Sequence, residues 1–207
     1  HELLTGRDDI WIAAVNGPAA TVIAGSPSGL AEITAHAEAM GVRARTIPVD
    51  YASHTPHVER VRERLLQLAA PITPRAGDVP MYSTVIAAPI AGEALDAEYW
   101  YRNLREQVRF QDTLQTLLAD GHALFLESSA HPVLTTAVEE TGHAADQHIL
   151  ATGTLRRDHG GVRRLLDALA TLWTHGVAPD WTAVFTPGGA TAVDLPTYAF
   201  QRERYWL

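Results

Sequence analysis

Short β-prone runs alternate with helix-prone segments along this 207-residue chain, and this alternation most constrains its fold. Between residues 80 and 151, strand-like runs at 80–86, 123–126 and 148–151 are separated by segments whose apolar residues recur at helical spacing. Strands that alternate with helices are typical of a parallel sheet covered by helices. The pattern predicts an α/β fold in which residues 123–126 form a buried parallel strand.

The first 49 residues predict a small antiparallel unit. Two β-prone runs, 10–16 and 21–24, flank the turn-forming pair Gly17-Pro18. A helix is predicted over residues 30–40, and residues 45–49 are predicted to form the next strand. Two strands, a helix and a strand make up most of a small α+β subdomain.

Composition excludes several classes of function. The chain has no cysteine, which excludes disulfides, thiolate-ligated metals and a thiol nucleophile. With 16 Lys+Arg against 24 Asp+Glu, the formal net charge of −8 argues against a nucleic-acid partner and against a polybasic membrane anchor. No run of about 18 apolar residues predicts a membrane span, so we expect no membrane partner.

The serines of this chain do not form a nucleophile elbow. The nearest approach to G-x-S-x-G is residues 25–29, where Pro27 occupies the centre. The first residues do not resemble a signal peptide, and the chain has no initiator methionine. We therefore expect a piece of a longer protein, with any serine nucleophile in the part that precedes it.

Histidine spacing does not predict a metal site. His54 and His57 are three residues apart, and His1-Glu2 begins like HExxH, but Thr5 stands where the second histidine belongs. No third ligand is evident beside either pair. We expect no bound metal.

His54 lies between a predicted strand and a predicted helix. The strand ends at Val49, and Thr55-Pro56 predicts a helix start with threonine as N-cap and proline at the first helical position. The partial positive charge of a helix N-terminus disfavours an imidazolium and keeps a neutral ring available as a base. The alternative is a loop histidine whose polar groups are satisfied by the backbone.

Five ordered motifs together resemble the acyltransferase domains of modular type I polyketide synthases, over nearly the whole chain. They are AAVNGP at 13–18, YASH at 51–54, YWYRNLR at 99–105, FLE at 125–127 with HPVL at 131–134, and LPTYAFQ at 195–201 with Arg204, Tyr205 and Trp206. Two departures are Ser129-Ala130 for the usual Ser-Pro and Glu106-Gln107 for Glu-Pro, and we expect neither to affect the chemistry.

The resemblance implies three parts. Residues 1–49 would form a ferredoxin-like small subdomain, and residues 50–152 the C-terminal part of an α/β-hydrolase-like acyltransferase core. Residues 153–207 would form a post-acyltransferase linker, with an amphipathic helix over 162–173 and a tail rich in proline and aromatic residues. Because the tail is too apolar for a free linker, we expect it to lie along a neighbouring surface, which the resemblance places toward the ketosynthase.

The resemblance also implies an activity. These domains move a malonyl or methylmalonyl extender unit from CoA to the phosphopantetheine thiol of an acyl carrier protein, through a serine ester. The implied partners are acyl-CoA, the acyl carrier protein, and the ketosynthase domain and linker of the same polypeptide. A homodimeric parent protein in the cytoplasm and the absence of any cofactor in this chain are implied as well. Without the serine, the chain alone is expected to be inactive.

The resemblance assigns roles to five residues. His54 would act as general base and acid, and the backbone carbonyl of Asn103 would orient its ring, with helix C-capping as the alternative for Asn103. Tyr51, Ala52 and Ser53 would shape the pocket around the C2 substituent of the extender. YASH is associated in this family with methylmalonyl-CoA, and HAFH with malonyl-CoA.

Two other functions stay open: a non-catalytic scaffold or interaction module of a synthase, and a free-standing malonyl-CoA transacylase, which the tail disfavours. For His57, His122 and His131 we expect surface or capping roles. The arginines at 156–157 and 163–164 form a basic cluster that we expect to be a solvated face, with docking of an acidic carrier protein as the alternative.

Overall fold

The computed structural model describes residue 4 and residues 6–189, 191, 193–204 and 206. His1, Glu2 and Thr5 of the HExxH-like start and Tyr205 of the last motif lie outside these described residues. None of the helices in the described part is long and apolar enough to cross a membrane.

Strands are interspersed with helices along the chain, as the sequence pattern predicts for an α/β protein. The strands are β1 (Ile10–Gly17), β2 (Ala20–Gly25), β3 (Met81–Ser83), β4 (Ala88–Ile90), β5 (Leu124–Glu127) and β6 (Leu150–Gly153). The α-helices are α1 (Pro27–Ala39), α2 (Arg62–Ala69), α3 (Ala97–Arg105), α4 (Phe110–Ala119), α5 (Thr135–Ala144), α6 (Val162–Thr174) and α7 (Trp181–Phe185). Short 3-10 helices cover Pro56–Val61, Gly92–Ala94 and Thr186–Gly188.

The N-terminal hairpin and its following helix are confirmed. β1 pairs antiparallel with β2, and the Ser26 hydroxyl caps α1 by accepting from the Gly29 N–H at 3.0 Å. The predicted strand over residues 45–49 is wrong, because this segment forms neither a strand nor a ladder. Ile47 and Val49 are more than half exposed, and Pro48 has no N–H to donate to a neighbouring strand.

The parallel sheet is smaller than the sequence predicts. β5 and β6 pair in parallel, with Leu124 opposite Leu150 and Glu127 opposite Gly153. Residues 80–86 do not join them, since β3 turns back through residues 84–87 and pairs antiparallel with β4. The prediction that residues 123–126 are buried is also wrong for one face of β5, where Leu124 and Leu126 are about 40% exposed.

The main core lies where the N-terminal hairpin meets α1, α4 and α5. Its buried side chains are Ile10, Ala13, Ala14, Ile33, Ala37, Leu114, Leu118, Ala137 and Val138. Each of these helices, and β1, buries one face in this core, and this burial gives the unit its hydrophobic stabilisation. It also makes β1 a fixed platform for the segment that follows α3.

A carboxylate joins the end of β5 to the start of α5. Glu127 accepts from the N–H groups of Val133, Leu134 and Thr135 at 2.8–3.2 Å and from the Ser129 hydroxyl at 3.0 Å. Burial alone would raise the pKa of Glu127, but these donors, that of Val133 first, lower it below the usual value. The FLE and HPVL segments are therefore linked by a capped helix start.

The C-terminal region consists of α6, α7 and an extended tail. The amphipathic helix predicted over residues 162–173 is confirmed, and it buries Ala168 and Leu172. Of the other predicted apolar positions, Val162 and Trp173 are mostly exposed. Five apolar residues in the described part of the tail are more than two-thirds exposed: Val193, Leu195, Tyr198, Phe200 and Trp206. The expected neighbouring surface is thus not supplied by the described chain.

Candidate active site

His54 stands in a loop that is held against the end of α3. Its main-chain N–H donates to the Leu104 carbonyl at 2.8 Å. Its φ of 61° lies in the left-handed region, where a non-glycine residue costs about 1–2 kcal/mol. Backbone strain of this kind persists only where surrounding contacts over-determine the conformation, and it clusters at functional sites.

The His54 ring has a defined tautomer. Its Nδ1 lies 2.8 Å from the main-chain carbonyl oxygen of Glu106. Because a carbonyl oxygen only accepts, Nδ1 carries the proton in this contact, and the neutral ring keeps its lone pair on Nε2. His54 is half-buried, so its side chain is partly accessible from solvent. This arrangement can take a proton at Nε2 and return it.

The residue that orients the ring is Glu106 and not Asn103 as predicted. Asn103 lies inside α3, two residues before its end, and the C-cap is Glu106, so the alternative C-capping role of Asn103 is wrong as well. At Glu106 the backbone is extended (φ −84°, ψ 158°). This turns its carbonyl out of the helical ladder and frees it for the imidazole.

The Glu106 carbonyl is fixed by the segment that follows it. The Val108 N–H donates to the Ala13 carbonyl at 2.8 Å, and the Val108 carbonyl accepts from the Val15 N–H at 2.9 Å, which attaches this segment to β1. The Glu106 carboxylate pairs with Arg102 at 2.7 Å, and this contact raises the pKa of the guanidinium. Glu106 therefore offers the ring its carbonyl while its carboxylate is engaged elsewhere.

Ion pairs align α3 with the helical segment that follows His54. Arg105 donates to Glu59 at 2.7 Å, and Arg62 donates to Glu98 at 2.9 Å while its guanidinium lies 5.1 Å from the centre of the Tyr101 ring. Exposed pairs of this kind contribute about 0–1 kcal/mol each. Their effect is on register, because they fix which turn of α3 faces the His54 loop.

The three residues predicted to select the extender precede the histidine directly. Ala52 and Ser53 are half-buried beside it, whereas the Tyr51 side chain is 65% exposed. The Ala52 carbonyl accepts from the Thr55 hydroxyl at 2.7 Å. The loop thus brings Ala52 and Ser53 close to the His54 backbone and leaves the tyrosine at the surface.

Sequence reasoning missed the extent of the role of Thr55. Its predicted N-cap contact is confirmed, since the hydroxyl accepts from the His57 N–H at 3.2 Å at the start of the 3-10 helix. The side chain is also completely buried, and its second bond reaches back across His54 to Ala52. The pattern Ser/Thr-Pro predicts the cap alone, because the backward bond depends on the left-handed turn at His54.

His57, His122 and His131 each contact one neighbouring residue. The His57 ring meets Trp11 edge to face with centroids 5.4 Å apart, and the His122 ring meets Tyr82 at 5.8 Å. His131 Nδ1 accepts from the Arg157 N–H at 3.4 Å. Among the described residues, no group of three or more acidic or histidine side chains could hold a metal ion.

The basic cluster is mainly a solvent-facing surface. Arg156, Arg157 and Arg163 are exposed, and Arg164 donates to the Gly153 carbonyl at 3.1 Å. The last contact anchors the start of α6 to the end of β6. The cluster therefore lies beside the β5–β6 pair.

Comparison with known proteins agrees with the motifs. The family described as acyl transferase domain matches residues 1–179. Spectinabilin polyketide synthase system protein NorA' of Streptomyces orinoci is 54% identical over 196 residues, which cover 95% of this chain and 5% of that protein. Pikromycin polyketide synthase component PikAII of Streptomyces venezuelae is 49% identical over 206 residues, again 5% of its length.

Solved structures show the same fold. The acyltransferase domain from module 8 of the salinomycin polyketide synthase superposes with a TM-score of 0.84 at 50% identity. The match covers 87% of this chain and 43% of that one. The chain thus spans about 5% of the curated relatives and less than half of this solved domain.

Proposed function

This chain belongs to the acyl transferase domain family, and from that premise we propose that it is the C-terminal part of an acyltransferase in a modular polyketide synthase. The proposed reaction moves an extender unit from CoA to the phosphopantetheine thiol of an acyl carrier protein. The observation that carries the proposal is the His54 ring, whose Nδ1 contacts the Glu106 carbonyl and whose Nε2 keeps the lone pair. The polyketide synthase names of the relatives support the same conclusion.

His54 serves in both halves of the proposed reaction. Nε2 takes the proton of a serine hydroxyl as its oxygen attacks the thioester carbonyl, and the resulting imidazolium returns that proton to the departing CoA thiolate. The product is an acyl ester on the serine. The phosphopantetheine thiol then gives its proton to Nε2 and attacks the ester, and the serine oxygen recovers a proton as it leaves. Because no G-x-S-x-G occurs here, we place this serine in polypeptide outside the chain.

The Glu106 carbonyl replaces the acid of a hydrolase triad. It accepts from Nδ1–H in the neutral ring and in the imidazolium alike, so the ring keeps one orientation through both proton transfers. The carboxylate of the same residue pairs with Arg102, which keeps its charge away from this role.

We further propose methylmalonyl-CoA as the extender donor. Ala52 and Ser53 are small and half-buried beside His54, and they leave room for a methyl at C2 that a phenylalanine would crowd. One methyl changes binding by about 1–3 kcal/mol, so the preference is a matter of degree. The exposed Tyr51 would act at the rim of this pocket.

The proposed architecture follows the family. Residues 1–49 belong to a ferredoxin-like subdomain, 50–152 to the hydrolase-like core and 153–207 to the linker toward the ketosynthase. The β1–β2 hairpin with α1, the parallel β5–β6 pair and the exposed tail support these three parts. The proposed setting is a homodimeric cytoplasmic synthase.

Mass spectrometry of the parent synthase tests the function. We expect an acyl adduct on a serine outside this chain after incubation with equal malonyl-CoA and methylmalonyl-CoA, with the methylmalonyl adduct in excess. The isolated 207-residue chain should gain no adduct under the same conditions. A parent protein that gains none would instead be a scaffold, and an excess of the malonyl adduct would overturn the extender assignment alone.

A further inference from the structure

We propose that Thr55 is a positioning residue, whose buried hydroxyl holds the catalytic conformation of His54. This inference rests on the proposed function, because it takes His54 as the base. Thr55 does not contact the reacting atoms and acts only through the loop. Two observations support the inference: the two hydrogen bonds of the Thr55 hydroxyl, and the left-handed backbone of His54, which lies between the two bonded residues.

The hydroxyl bridges the chain on both sides of the histidine. Thr55 Oγ1 donates to the Ala52 carbonyl at 2.7 Å, two residues before His54, and accepts from the His57 N–H at 3.2 Å, three residues after it. One donor and one acceptor site of the hydroxyl are thus used within a single turn of chain. Its proton is directed toward Ala52, so the two bonds fix one orientation.

Complete burial makes this bridge hard to replace. The Thr55 side chain is fully buried, so water is not at hand to substitute for a lost hydroxyl. Removing it leaves the Ala52 carbonyl and the His57 N–H without the partner that they share in this structure. The loop would have to rearrange to satisfy both groups.

The histidine between these bonds is the residue that such a rearrangement would move. Its φ of 61° is disfavoured for a side chain with a Cβ, and relaxing the loop would allow it to return to a common backbone region. That rotation would break the N–H contact to Leu104 or turn Nδ1 away from Glu106. The ring would then lose the orientation on which proton transfer at Nε2 depends.

Thr55→Val in the full parent synthase tests the proposal, since valine has nearly the same shape and no hydroxyl. The measurement is CoA release from methylmalonyl-CoA with the acyl carrier protein as acceptor. We expect kcat to fall about 10- to 100-fold with KM for the acyl-CoA changed much less, since misplacing a catalytic group by about 1 Å costs that much. Thr55→Ser keeps the hydroxyl and should restore kcat to near the wild-type value.

Thr141→Val is the matched control. Thr141 is also buried and its hydroxyl donates to the Ala137 carbonyl at 2.7 Å, but it lies in α5, which packs mainly on α4, β1, β5 and β6. We expect its kcat to stay at the wild-type value. A Thr55→Val enzyme that turns over like Thr141→Val would overturn the inference. If Thr55→Val fails to fold, Thr55→Ala gives the same comparison.

The double variant His54→Ala/Thr55→Val tests whether Thr55 acts through His54 or affects the enzyme by another route. If the hydroxyl acts only through the histidine, the double variant is no slower than His54→Ala alone. A further loss would show that Thr55 acts by another route and would overturn the inference. Full activity in His54→Ala would instead overturn the proposed function, so the two failures are distinguishable.

Discussion

The rings of His54 and His175 make the same type of hydrogen bond in two different regions of the molecule. Each ring has Nδ1 at 2.8 Å from a main-chain carbonyl, that of Glu106 for His54 and that of Thr171 for His175. The partner of His175 lies one turn earlier in its own helix, and the ring is exposed at the end of α6. The partner of His54 is 52 residues away, and the ring is half-buried.

The comparison shows that a carbonyl contact which fixes the tautomer of a histidine ring does not by itself make a functional site. A helix end fixes the ring of His175 without help from the rest of the fold, so this contact needs only local sequence. The contact of His54 requires the loop, the end of α3 and the attachment of Val108 to β1 to be assembled together. The site region is therefore built from long-range hydrogen bonds. In the C-terminal region the side-chain hydrogen bonds of Thr171, Thr174 and Asp180 are local, and many apolar side chains face solvent.

The largest expected contrast is between alanine substitutions at these two histidines. His54→Ala should lower transfer to the acyl carrier protein by roughly 1,000-fold or more, because a lost general base removes stabilisation of the transition state. His175→Ala should leave the rate unchanged. Both are measured as CoA release by the parent synthase, with circular dichroism to verify the fold. If both variants lost the same fraction of the transfer rate, the long-range contact of His54 would have no special importance for catalysis.

A second contrast compares two glycines. A Cβ on Gly25 would lie 2.1 Å from the Asp9 carbonyl oxygen and 2.9 Å from the Ile10 Cα, whereas a Cβ on Gly188 would meet nothing within 4 Å. Because the clash at Gly25 is with backbone atoms of β1 and its neighbour, Gly25→Ala should destabilise by about 1–3 kcal/mol.

Gly188→Ala is the control for that measurement, and we expect it to change the free energy of unfolding by less than about 0.5 kcal/mol. Urea denaturation gives both values. Because β1 also carries Val108, Gly25→Ala should lower transfer as well. An unaffected Gly25→Ala protein would show that the platform under the site tolerates movement.

The sequence predicts the local parts of both regions and misses the long-range ones. The hairpin β1–β2, α3 and α6 follow from turn residues and apolar spacing within each segment. Residues 45–49 have the composition of a strand, but a strand also requires a partner with free N–H and C=O groups. The described chain presents none to them.

The same limit explains the correction from Asn103 to Glu106. The YASH motif identifies His54, and YWYRNLR identifies α3 as the element beside it. Which carbonyl is free depends on the residue where the helix ends, and sequence patterns locate helix ends poorly. The extended backbone at Glu106 decides it. For the same reason, the sequence predicts only the cap contact of Thr55. Its second bond, to the Ala52 carbonyl, requires the left-handed turn at His54.

A smaller contrast concerns two helix caps. Glu127→Gln weakens the accepted hydrogen bonds at the start of α5, and Asp180→Asn weakens one bond, to the Ala183 N–H, at the five-residue α7. We expect a loss of about 1 kcal/mol for Glu127→Gln and less for Asp180→Asn, in the usual range for N-caps. Thermal denaturation at neutral pH measures both.

The pH dependence of the Glu127 effect has a definite sign. Since folding lowers the pKa of this carboxyl, its contribution is fully present above the unfolded value of about 4.3 and is lost as pH falls through the folded pKa below it. The stability difference between wild type and Glu127→Gln should therefore shrink as pH falls below about 4. A difference that grows with acidification would contradict the cap.

The smallest effect is expected in the tail. Leu195 is 80% exposed, so Leu195→Ala removes little buried surface and should change the free energy of unfolding by less than about 0.5 kcal/mol. A loss above about 1 kcal/mol would mean that the tail packs on the rest of the chain, and the contrast between the regions would disappear. If the loss is small in this chain and large in the parent synthase, the surface that covers Leu195 belongs to the rest of the synthase. The apolar side chains of the tail would then be interface residues.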